Sequence, residues 1–489
     1  MSLENLLDHA KQTSALSQVA GLISWDQETM MPKKGNASRA EQSGAIAAVI
    51  HGRNADPRIA DWMEGVDRTT LSEFDQRNVA EIERSHRRAT RVPERLAREL
   101  AVAASAGQTT WVEARADKDF SKFKPALKRN IDLKKEAAAC LIEDGQSAYD
   151  VLLDEFEPGA RTQELSDLLE SLRPALVSLR QRISEKPAPK RFIGAFGKAA
   201  QLALAEKIAA AMGYDFDAGR LDLAAHPFSS GSVNDARITT RVDEKDPLNC
   251  LYSTIHEVGH ALYTQGGTDE FLPAADYCSM GVHESQSRFW ENQIGRSRQF
   301  ADWLYPELKS AFGEFGLNSP DDVYTAVNRV ETDFIRTEAD EVHYNLHILL
   351  RFSLERDLIS GALAVDDLEE AWNTQFKADF GLDVPDPSLG VLQDVHWSAG
   401  LFGYFPTYSL GNIYSACLDQ AMREDIPDRD TLIEKADCAS TLQWMRDKIH
   451  SKGRVLQAPE LIERATGKPP SAQPLIDYLE RKFSGLYNL

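Results

Sequence analysis

The chain is poor in cysteine. Five are spread over 489 residues, at Cys140, Cys250, Cys278, Cys417 and Cys438, odd in number and never as a C-x-x-C pair. That excludes a disulfide framework and a thiolate zinc site. No stretch approaches 18 uninterrupted apolar residues, so no membrane span is expected. The start, with Glu4, Asp8 and Lys11, lacks the basic-then-apolar pattern of a secretion signal, which points to a soluble, cytoplasmic protein. Positive charge is also in deficit: 55 Lys and Arg stand against 76 Asp and Glu, a net charge of -21. Such a balance repels nucleic acid and anionic membranes, so neither is an expected partner. The one basic stretch, Glu83–Arg98, is interleaved with apolar and acidic residues and reads as a solvated helix face rather than a docking patch. Internal repeats and low-complexity segments are absent.

Helical periodicity dominates what is present. Glycine is scarce from Leu71 to about Leu141, and apolar residues there recur at three- and four-residue spacing. Gln163–Ile183, Gly197–Met212, Asp321–Leu354 and Leu432–Ile449 read as helical in the same way. The polar, proline-bearing 185–191 stretch is the best lobe boundary within a single two-lobed unit covering 1–489. Arg220–Ala224 and Arg237–Val242 alternate around a Ser/Gly/Asn turn and predict a small antiparallel hairpin, whose edge is a candidate for pairing with an extended peptide.

Directly after it comes "STIHEVGHALYTQGG", within one predicted helix from Asn249 to Gln265 closed by Gly266-Gly267. His256 and His260, four apart, project from one face and can converge on one ion. Glu257 lies about a third of a turn away. It is poorly placed to bind the ion and well placed to take a proton from water beside it. Gly259 costs roughly 1 kcal/mol against Ala in a helix interior, which suggests close approach of another backbone. For a third ligand, Glu284 in "MGVHESQSRFWENQIG" leads, since helix, turn and returning helix fit the interval and His₂Glu is a catalytic zinc set. His283 and Glu291 are its rivals. Zinc is the expected ion, and cobalt suits the same ligands.

Further motifs stand in order along the chain: His226-Pro227-Phe228; Asp235, Arg237 and Thr239 as DxRxT; His256–His260 as HExxH; His283-Glu284-Ser285-Gln286; Ile335-Arg336 with Ala339-Asp340; and Gly390, Gln393, Asp394, His396 and Trp397 as GxxQDxHW. In these the chain resembles the carboxypeptidase Taq family of zinc metallocarboxypeptidases. "ISWDQETMMP" and "GYFPTYSLG" are similar too, and the length agrees throughout. The resemblance implies a mainly α, neurolysin-like two-lobed fold with a deep central groove, and a homodimer. It also implies release of single C-terminal residues from peptides, with broad side-chain tolerance. An oligopeptidase cutting internally on the same scaffold is the alternative.

Within that reading Glu257 takes a proton from water and passes it to the leaving amine. A donor is wanted for the developing oxyanion. Tyr408 is favoured, His396 is second, and Tyr404 lies one turn before Tyr408, with Pro406 between them marking a loop or helix start. A free α-carboxylate calls for an arginine fork. Arg336, read inside a helix, is placed slightly ahead of Arg237, on the hairpin. His226, held extended by Pro227, is a candidate to orient substrate or to cap a helix. Gln393 and Asp394 are candidates to anchor a ligand imidazole.

Overall fold

The computed structural model describes residues 2–489, and most of them are helical. Packing divides the chain into two units. The first comprises residues up to Thr90 with Pro189–Val327 and Tyr414–Pro470. The second comprises Arg91–Ala188, Asn328–Ile413 and Ser471–Leu489. Among the described residues no helix is long and apolar enough to cross a membrane, and all five cysteines are free.

In the first unit, the Pro247–Gln265 helix starts where Asp246 accepts the Leu248 N–H and Pro247 occupies the first turn. Its apolar stripe, with Ile255, Val258 and Leu262 fully buried, faces the Met280–Arg288 helix and the segment after it. Gly259 marks the crossing: a Cβ there would lie 2.6 Å from the Ser287 Cα and 2.7 Å from the Gln286 carbonyl oxygen. The close backbone approach expected from this glycine is therefore present.

The sheet departs from expectation. Three short strands, β1 (Gly219–Leu223), β2 (Ser229–Ser232) and β3 (Asp235–Thr240), lie in the order β1-β3-β2. β1 and β3 run parallel, with Leu221 opposite Ile238. The antiparallel hairpin partner of β3 is β2, joined to it by Val233-Asn234. Ser229–Ser232 carries no apolar alternation, so it did not register as a strand, and the two alternating runs flanking it were paired instead. The sheet is stitched to the Pro247–Gln265 helix where the Thr240 hydroxyl donates to the Cys250 carbonyl at 3.0 Å.

The periodic stretch Asp321–Leu354, which runs from the first unit into the second, is not one helix. A short helix, Pro320–Val327, ends the first unit's portion, and the Glu341–Ser360 helix begins afresh. Between them runs irregular chain with a single 3₁₀ turn at Arg336–Glu338. Asp340 starts the second helix by accepting the Val342 and His343 N–H groups. Arg336 therefore sits on a loop, not inside a helix. Pro406 opens the Pro406–Asp425 helix, which places Tyr408 in its first turn and Tyr404 just before it.

Candidate active site

His256, His260 and Glu284 present donor atoms all within 4.8 Å of one another. Glu284 Oε2 is 3.7 Å from His256 Nε2 and 3.4 Å from His260 Nε2. Tetrahedral N and O donors at about 2.0–2.1 Å from a zinc ion sit about 3.3 Å apart, so the three would close on such an ion with little movement. The other nitrogen of each ring is committed. His256 Nδ1–H donates to Glu291 Oε2 at 2.9 Å, and His260 Nδ1–H to the His283 carbonyl at 3.1 Å. Both Nε2 lone pairs are thereby turned toward Glu284, the tautomer a ligand imidazole needs.

Glu284 is aimed with equal care. Arg288 Nε donates to its Oε1 at 2.7 Å and the Ser287 hydroxyl to its Oε2 at 3.0 Å. Burial acts to raise the Glu284 pKa, but Arg288, His256 and His260 overcome it and hold the carboxyl well below its usual range. Glu257, on the same helix as the histidines, is 6 % exposed. Burial raises its carboxyl above the ordinary value despite the nearby histidines. The two neighbouring carboxyls are thus shifted in opposite directions.

Of the rival ligands, His283 places its ring Nδ1 2.6 Å from the Nδ1 of His260, not beside the Nε2 that faces Glu284. Glu291 is half-buried and bonds His256 rather than joining the donor set. A π-helical turn, Phe289–Gly295, carries it there, and Arg288 and Arg296 bind its two oxygens at 3.3 and 3.2 Å. Gln393 and Asp394 do not serve the imidazoles. Glu291 and the His283 carbonyl fill that place, while Gln393 accepts the Arg336 N–H and Asp394 is taken up by two arginines.

The remaining predicted residues fall in two groups. Beside the metal helix, Arg237 spends its fork on Asp235, at 2.7 and 2.8 Å, and lies 4.2 Å over the face of Trp25. His226 is exposed on the loop between β1 and β2. The following Phe228 and Thr239 exchange bonds, Phe228 N–H to the Thr239 hydroxyl at 2.8 Å and Thr239 N–H to the Phe228 carbonyl at 2.9 Å, tying the HPF and DxRxT motifs together.

In the second unit Arg336 Nη2 lies 3.0 Å from Asp394 Oδ1, and the fully buried Arg351 places Nη2 2.5 Å from Oδ2. Two guanidiniums share one carboxylate, which leaves a surplus positive charge. Arg336 is also 5.0 Å above the Tyr408 ring and 3.3 Å from the Tyr344 hydroxyl. His396 packs against Tyr404, Phe405 and Tyr408, its Nε2 3.5 Å from the Tyr408 hydroxyl. Burial, with Arg336 and Arg351, lowers its pKa to about 4, so it is a neutral ring at physiological pH.

Two imidazoles and a carboxylate that can close on one ion, with a buried Glu next to one of them, fit a metallopeptidase of the HExxH class. Comparison with known proteins agrees and goes further. The model of the carboxypeptidase Taq (M32) metallopeptidase family matches residues 5–483, and the chain belongs to that family. It is 42% identical over 503 residues to thermostable carboxypeptidase 1 of Thermus thermophilus, covering 99% of this chain and 98% of that one. Among solved structures it is similar to the M32 carboxypeptidase of Deinococcus radiodurans R1, with TM-score 0.96, 36% identity and 100% of both chains covered. It is likewise similar to Trypanosoma cruzi metallocarboxypeptidase 1, with TM-score 0.96, 33% identity and 99% of each chain covered. The protein is accordingly a metallocarboxypeptidase, a hydrolase of peptide bonds that works with a divalent metal.

Proposed function

We propose that the protein releases single residues from the free C-termini of peptides of varied sequence. In this reading zinc is held by His256, His260 and Glu284, and Glu257 is the general base. The observation that carries it is the donor set, with both imidazoles oriented through Nδ1 and Glu257 adjacent but outside the set. Nitrogen-rich donors favour zinc or cobalt over magnesium, which prefers all-oxygen octahedra. A divalent cation there supplies Lewis acidity, polarising a carbonyl and acidifying water.

Glu257 takes the proton of the attacking water and returns it to the leaving amine, for which its raised pKa suits it. Tyr408 is the oxyanion donor in this reading, with His396 second and Tyr404 lining the same aromatic group. For the substrate α-carboxylate, the surplus charge of the Arg336–Asp394–Arg351 group supports Arg336. Arg237, whose fork is filled by Asp235, and His226 border the substrate. The homodimer rests on the family resemblance, and the cytoplasmic setting fits five free cysteines.

The test is stepwise product analysis by mass spectrometry on one N-blocked peptide with a free or an amidated C-terminus, with and without chelator. Ordered loss of single residues from the free peptide alone, abolished by chelation, is expected. Equal cleavage of the amidated peptide would replace the carboxypeptidase reading with that of an oligopeptidase.

A further inference from the structure

Glu355 is a fully buried acid in the Glu341–Ser360 helix that the chemistry above does not use. Three donors converge on it. The Tyr149 hydroxyl donates to Oε2 at 2.7 Å, the Gly403 N–H to the same oxygen at 3.0 Å, and the Trp397 ring N–H to Oε1 at 2.7 Å. Trp397 and Gly403 bracket one segment; His396 and Tyr404 are the residues immediately outside its two ends, and Asp394 lies three residues before Trp397. The chain at Gly403 has no freedom to slide: φ is +85°, and a Cβ there would lie 2.8 Å from the Leu152 carbonyl. One turn before Glu355 on its own helix is Arg351, which pairs with Asp394. Glu355 is therefore joined both mechanically and electrostatically to the group that holds Arg336.

We propose that Glu355, without touching substrate, is a positioning residue for recognition of the substrate carboxylate: it pins the 394–405 segment, and its ionised form cancels the surplus positive charge of the Arg336–Asp394–Arg351 group. The inference rests on the reading of Arg336 as the carboxylate's partner. With Glu355 protonated, two guanidiniums face one carboxylate; with Glu355 ionised, charges balance and the pull on an incoming anion weakens. Burial raises the Glu355 carboxyl to about 7, while Tyr149, Gly403, Trp397 and Arg351 oppose that rise. Of the groups around it, His347, one turn before Arg351, is held well below its usual value by burial and by Arg351. Asp394 is held far below its usual range by Arg351 and Arg336, His396 is neutral, and Arg351, lowered to about 10, stays charged.

The test is steady-state kinetics on an N-blocked peptide with a free C-terminus from pH 6 to 8.5, with KM and kcat separated. For the wild type relative to Glu355→Gln, the ratio of KM values should climb with pH, by roughly three- to tenfold for one charge acting through partly screened protein. Tyr149→Phe and Trp397→Phe each remove one donor from the carboxylate and keep the acid. In these variants the climb should move to higher pH, which loss of packing alone would not cause. A ratio that is flat with pH, or, where Glu355→Gln does not fold, unshifted profiles in Tyr149→Phe and Trp397→Phe, overturns the inference. Arg336→Gln at pH 6 separates the two readings. A raised KM there with a flat Glu355→Gln ratio removes the role of Glu355 alone, whereas an unchanged KM removes the Arg336 reading and this inference with it.

Discussion

Glu257 and Glu291 both lie next to His256 and contribute in opposite ways. Glu291 fixes which nitrogen of His256 carries the proton; Glu257 is left without a cation of its own and keeps a raised pKa. Replacing each by Gln should therefore divide binding from turnover. Glu257→Gln should hold its metal and lose kcat by roughly 10²–10⁴-fold or more, since the proton acceptor is gone and the donor set is intact. Glu291→Gln should retain measurable kcat when saturated with metal but bind it roughly 10- to 100-fold more weakly, as measured by competition with a chelator of known affinity. Loss of metal in Glu257→Gln, or unchanged affinity in Glu291→Gln, would reverse the assignments.

Among the elements, the crossing of the two ligand-bearing helices sets the distance between His260 and Glu284, and Gly259 is its closest point. Gly259→Ala would press a methyl into the Ser287 and Gln286 backbone, which cannot swing aside as a side chain can. The expected cost is about 1–3 kcal/mol in denaturant unfolding, with weakened metal affinity as the helices part. The control is Gly21→Ala in the Ser2–Thr29 helix, where no heavy atom lies within 4 Å of the new Cβ. That change should stabilise by up to about 1 kcal/mol through helix propensity. Equal effects at both sites would mean that the crossing is not tight. Gly259 and the histidine pair were legible because both follow from the 3.6-residue period. Glu291, the weaker of the rival ligands, bonds His256 instead; a π turn does not keep that period, so its direction cannot be counted from Glu284. Arg336 was placed in a helix because Asn328–Asp340 contains neither Gly nor Pro. The informative signal was Asp340, two residues before Val342, as a fresh helix start. Glu355 left no local trace, since its partners Tyr149, Trp397 and Gly403 are all distant in the chain.

At the scale of the whole molecule, a helical protein with no disulfide among the described residues keeps several histidines neutral by burying them, and each such histidine costs stability toward acid. His450 shows the physics most simply. It is 1 % exposed, its Nε2–H donates to the Gln286 side-chain oxygen at 3.0 Å, and its Nδ1 has no hydrogen-bond partner among the described residues. Burial, with Arg446 nearby, lowers its pKa to about 3, against an ordinary value near 6.5. A proton added at Nδ1 would be buried with no acceptor among the described residues, and Gly266 packs closely on that side of the ring: a Cβ built there would come within 2.3 Å of Nδ1. Because the folded-state value is the lower one, the unfolded chain binds the proton more readily between these limits. The contribution of His450 is whole above about pH 6.5 and is lost as pH falls, at about 1.4 kcal/mol per unit, or about 3 kcal/mol by pH 4. Urea unfolding of metal-free protein at pH 7, 5.5 and 4.5 measures this without interference from the ion. His450→Gln should be less stable than the wild type at pH 7 and should approach or overtake it at pH 4.5, because glutamine takes up no proton. A constant stability difference across the three pH values would show that His450 titrates freely in the folded protein and that the acid limit is set elsewhere.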